Sequence, residues 1–140
     1  GALWANYTIA AARATALGED DRADWCMNLC AETWTAFEAT FRASWPERRD
    51  ARVFTDGFGD DLVARWHDET WVFAAAKMAR RIVGLAKTKD IESLPEELRE
   101  GAARGVLDVA RAAVRERESG PASENYIAMA SQILRATTTR

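Results

Sequence analysis

At 140 residues the chain suits one domain, and 48% apolar residues with six tryptophans can fill a real core. Nineteen basic residues against twenty-two acidic ones leave a net charge of −3, so no overall positive field argues for nucleic acid. No stretch is long or uncharged enough to span a bilayer, no signal peptide is visible, and two cysteines with one histidine cannot assemble the usual zinc site.

Residues 2–17 are almost wholly apolar and end at Gly18, which predicts a buried helix closed by a C′ glycine. This helix starts with no initiator methionine, capping side chain or acidic first turn, so we expect a chain cut from something longer. A second helix is expected from about Arg22 to Trp45, after Asp20 and Asp21, whose charges suit a helix start. Cys26, Cys30, Trp34, Phe37, Phe41 and Trp45 recur at steps of three or four and form one inward stripe. The cysteines therefore read as small core residues in a reducing, cytoplasmic setting, not as ligands or a disulfide. Pro46 helps end the helix, and Arg48-Arg49-x-x-Arg52 falls in a solvated loop closing on Asp56-Gly57.

The third helix runs from Phe58 to about Ala86, with a break expected near His67–Thr70 because of its length, and with Leu62, Trp66 and Phe73 inward. His67-Asp68-Glu69 reads as a surface or junction cluster, since adjacent helical residues point about 100° apart and do not act as one acid/base unit. Ser93-Leu-Pro95-Glu96 has the pattern of a capping box opening the next helix. That helix buries Leu98, Ala102, Val106, Val109 and Ala113, carries a Glu100–Arg104 pair, and is broken by Gly120-Pro121. Ser123 caps a last helix with Tyr126, Ile127, Ala130, Ile133 and Leu134 inward, before a tail that frays. No strand candidate survives. The expected fold is all-α, about five packed helices in a single domain over residues 1–140.

The residues that carry function are sought in the third helix. Lys77, Arg80, Arg81 and Gly84 share one stripe at helical spacing, while Ala74, Ala75, Met78, Ala79, Ile82 and Val83 cover most of the rest. No acid stands three or four residues from any of these cations, and Lys77 with Arg81 is a like-charge pair. Compensation must come from outside the helix: an acid elsewhere in the fold, water, or an anionic ligand. Gly84 costs roughly 1 kcal/mol against alanine in mid-helix, which points to a close approach there.

The run Phe73-x-x-Ala76-Lys77-Met78-x-Arg80-Arg81-Ile82-Val83-Gly84-Leu85-Ala86, followed by Asp90-x-Glu92-Ser93, resembles the C-terminal segment of the 5-methylthioribose kinases. The resemblance is dense over residues 58–93 and thin elsewhere. It implies the helical portion of the C-terminal lobe of a protein-kinase-like small-molecule kinase, related to aminoglycoside and choline kinases. It also implies transfer of the ATP γ-phosphoryl group to the sugar's C1 hydroxyl in methionine salvage. ATP and Mg2+ would be bound mainly by residues outside this chain, which holds no catalytic residue or metal ligand and alone would be inactive. Its partners would be the small-molecule substrate and the remainder of its own chain, with a homodimer left open.

Carried over residue by residue, Arg80 and Arg81 become substrate-binding candidates, Arg80 slightly ahead of Arg81 because it shares its angle with Phe73 and Gly84 more closely, with Val72, Phe73, Lys77 and Gly84 as pocket lining. Arginine suits the task because its planar fork presents fixed donors and stays charged. This sequence departs from the pattern at Lys87, where the family commonly has histidine, and at Val72, where it has glycine. These changes put the substrate's identity in question. The alternatives are a sibling kinase for another sugar, amino alcohol or aminoglycoside, and a non-enzymatic helical module for effector binding or dimerisation.

Overall fold

Alanines dominate the first helix, and they let it lie close to its neighbours, since helix spacing follows the side chains at the contact. In the computed structural model, which describes residues 1–85, 87–117 and 122–138, helix α1 (Ala2–Ala16) packs against all the other α-helices. These are α2 (Asp20–Ser44), α3 (Asp56–Val83), the short α4 (Lys89–Glu92), α5 (Glu96–Glu116) and α6 (Ser123–Thr138). A 3-10 turn, Trp45–Glu47, follows α2. No strand occurs among the described residues, so the fold is all-α.

Trp4, Ile9, Met27, Trp71, Met78, Val106, Val109, Tyr126 and Leu134 are buried together around α1. Each large side chain so removed from water contributes roughly 1.5–3 kcal/mol. Gly18 closes α1 at φ +72, a left-handed conformation that a side chain disfavours. On α5 the expected stripe is in place, with Ala102, Val106, Val109 and Ala113 buried and Leu98 packed against their edge. Glu100 pairs with Arg104 as the spacing requires. Cys26 and Cys30 are free and buried, and desolvation raises the Cys30 thiol to about 12.

Several expectations need correction. Helix α3 is unbroken over 28 residues. His67 and Trp71 lie buried one turn apart on its inner face, and the Thr70 hydroxyl donates to the Trp66 carbonyl at 2.8 Å, so this stretch carries no need to break. That inner face is Val63, His67, Trp71, Ala74, Ala75 and Met78, which turns Phe73 outward at 65% exposure. Ser93 ends α4 instead of capping α5: its N–H donates to the Lys89 carbonyl at 2.9 Å, and α5 begins after Pro95 with no side-chain cap. The break at Gly120-Pro121 and the last two tail residues lie outside the described residues.

Beyond Cys30 the aromatic stripe of α2 leaves the core. Phe37 and Phe41 meet Trp66 of α3 at ring separations of 6.0 and 5.2 Å, and Trp34 meets His67 at 4.6 Å. The stripe thus joins two antiparallel helices while Phe37 stays 43% exposed. Arg48 is held in this region, over the Trp45 ring at 5.2 Å and paired with Asp56 at 2.9 Å, and so is more ordered than a solvated loop residue.

Candidate functional site

Helix α3 stops at Val83 because Gly84 turns into extended backbone, φ −79 and ψ 174, with its N–H still donating to the Arg80 carbonyl at 3.0 Å. A Cβ on Gly84 would stand 2.3 Å from the Arg80 oxygen. Glycine is therefore required by the helix end itself, which replaces the mid-helix reading of this residue. Ala86, placed in the helix by its sequence, lies outside the described residues.

The chain then turns back along α5. Thr88 precedes α4 and donates to Asp90 at 3.2 Å, while Ile91 and Leu94 are buried as anchors. Between the end of α3, this connector and the first turns of α5 lies a cleft of about 260 Å³. Arg81, Lys87 and Arg99 line it, together with Glu92 and Glu100. Arg99 is fixed by its Nε, which donates to the Leu94 carbonyl at 2.7 Å. Lys87 stands 3.8 Å from Glu92.

The residues singled out from the sequence divide between two places. Arg81 is half-buried at the cleft and already makes an interaction within the protein. Arg80 is exposed and is not among the cleft's lining residues. Lys77, Phe73 and Val72 sit one or more turns earlier, by the start of α1. There the Lys77 ammonium donates to the Ala2 carbonyl at 3.1 Å, and the Gly1 backbone lies against Phe73. So the compensation for Lys77 is a backbone oxygen from α1, supplied by the fold. Val72 and Phe73 are exposed and line neither this cleft nor its rim.

His67 is the other departure. It is 3% exposed, flanked edge-on by Trp4 and Trp34, and its Nε2 lies 3.2 Å from the Ser123 hydroxyl. The pairing has the separation of a base and a nucleophile. However, Ser123 is itself buried, and His67 Nδ1 has no hydrogen-bond partner among the described residues to orient the ring. Burial lowers the His67 pKa, with Asp68, Glu38 and Glu124 opposing it. The pair is a packed polar contact in the core, not a surface cluster. Among the described residues no group of three or more histidine, cysteine or acidic side chains is placed to hold a metal ion, and no helix is long and apolar enough to cross a membrane.

Arg99 carries no mark in the sequence. Its own neighbours on α5 gave no sign of it; only the return of the chain after Gly84 brings it beside Arg81.

No family model matches this sequence. It is similar in part to methylthioribose kinases. The protein of that name from Exiguobacterium sibiricum is 34% identical over 65 residues, covering 45% of this chain and 16% of the relative. The one from Escherichia coli O45:K1 is 26% identical over 103 residues, covering 65% of this chain and 25% of the relative. The chain therefore spans a quarter or less of the curated relatives it matches.

Proposed function

We propose that this chain is the helical, acceptor-side part of an ATP-dependent small-molecule kinase of the methylthioribose kinase kind. In this reading the nucleotide, Mg2+ and the catalytic groups are held mainly by protein outside these residues. The chain supplies one wall of the active site, in a cytoplasmic enzyme. The observation that carries the reading is Arg81: it belongs to the run that resembles those kinases, and it lines a cleft with two further cations and a threonine. Fixed guanidinium donors can hold an acceptor hydroxyl in line and offset charge building on a transferred phosphoryl group.

The test is phosphoryl transfer by the protein that carries this chain together with its nucleotide-binding part. Methylthioribose, other sugars with sugar acids and sugar phosphates among them, amino alcohols and aminoglycosides serve as acceptors. ATP-dependent phosphorylation of one of them supports the reading, and turnover of none of them ends it. A second reading, a module that docks a partner or a second copy, is favoured by one observation. Leu3, Phe73, Val83 and Leu85 are apolar side chains left 49–105% exposed on the described surface.

A further inference from the structure

Three separate segments each deliver a cation to the cleft: Arg81 from the last turn of α3, Lys87 from the connector and Arg99 from the first turn of α5. Arg81 already makes an interaction within the protein. The two carboxylates of the cleft are engaged at its rim, Glu92 with Lys87 at 3.8 Å and Glu100 with Arg104. Arg99 is differently placed. Its Nε bond to the Leu94 carbonyl fixes the guanidinium, while its two terminal nitrogens make no hydrogen bond or ion pair among the described residues. A fork held in this way is pre-organised for an oxyanion. Ile82, Ile91 and Ala103 supply an apolar wall.

We propose that the cleft binds a polyol bearing its own anionic group, a phosphate monoester or a carboxylate. Arg99 and Lys87 take the anion, Glu92 and Glu100 accept from hydroxyls, and the apolar wall covers the carbon face. The volume of about 260 Å³ is a little below that of sites for drug-sized ligands and suits a small sugar acid or sugar phosphate. This deepens the kinase reading and rests on it for one consequence only: the acceptor would be an anionic sugar in place of a neutral one. Binding itself does not depend on it.

The experiment is an amide NMR titration of the chain with ribose 5-phosphate, ribonate, ribose and inorganic phosphate. Saturating shifts at Lys87, Thr88 and Arg99 with ribose 5-phosphate or ribonate are expected, and the tighter of the two identifies the anion. Both Arg99→Gln and Lys87→Met should weaken that ligand at least tenfold while the thermal midpoint holds. No saturation, an equal response to ribose, an equal response to inorganic phosphate, or unchanged affinity in both variants overturns the proposal. No ATP or turnover enters the readout. A negative titration therefore leaves the kinase reading standing, and failed phosphorylation leaves a measured cleft standing.

Discussion

Helix α3 passes through two unlike neighbourhoods. In its middle, His67 and Trp71 are buried against Trp4 and Tyr126; Thr8 bonds the Tyr126 hydroxyl at 2.8 Å and Ser123 bonds His67 Nε2, while His67 Nδ1 and Trp71 Nε1 find no partner among the described residues. At its end, Arg81 faces a half-open cleft whose cations outnumber its acids. The same helix is therefore packed into the core at one level and borders a solvent-open cleft at the other. Gly84 bounds the second neighbourhood, since it stops the helix and sends the chain back to build the cleft.

Mutations should divide along that line. The largest effect belongs to the centre: Trp4→Ala removes a side chain 2% exposed and should cost about 3–5 kcal/mol in urea unfolding. Gly84→Ala comes next. Its Cβ would meet the Arg80 carbonyl, so the helix end must shift, at about 1–3 kcal/mol of stability read by thermal melting. Amide shifts should move in the cleft and stay fixed around Tyr126, and movement around Tyr126 would erase the division between the two neighbourhoods.

The centre should also respond to acid. The folded His67 has a pKa below its ordinary value near 6.5, so the unfolded chain takes up the proton first. Stability present at neutral pH is then lost as pH falls below about 6.5. The thermal midpoint should be lower at pH 5.5 than at pH 7.5, and His67→Gln should flatten that slope. The smallest effect is on the surface, where Arg104→Ala breaks an exposed helical pair and should cost only about 0.3–0.5 kcal/mol.

The centre was the more legible half. The α5 stripe and the closing Gly18 could be read from spacing and backbone rules, because each is decided within a few residues. His67 could not, since its partner Ser123 arrives from another helix and its sequence neighbours are acids that suggest a surface. At the cleft, Arg80 and Arg81 stood out together by resemblance and by lacking acidic neighbours, and the angle argument favoured Arg80, whereas Arg81 is the one that lines the cleft. Gly84 was open to misreading, because the same glycine is costly inside a helix and required at its end. Lys77 found its partner in α1, and Arg99 found its place through the turn at Gly84, neither of which local periodicity encodes.

The most direct measurement compares kcat/KM for Arg81→Ala and Arg80→Ala in the protein that carries this chain and its nucleotide-binding part, with folding checked for both. The cleft geometry predicts a loss of at least about tenfold for Arg81→Ala, or 1.4 kcal/mol of transition-state stabilisation, and a smaller one for Arg80→Ala. Unchanged kinetics in Arg81→Ala, with a folded protein, would contradict it.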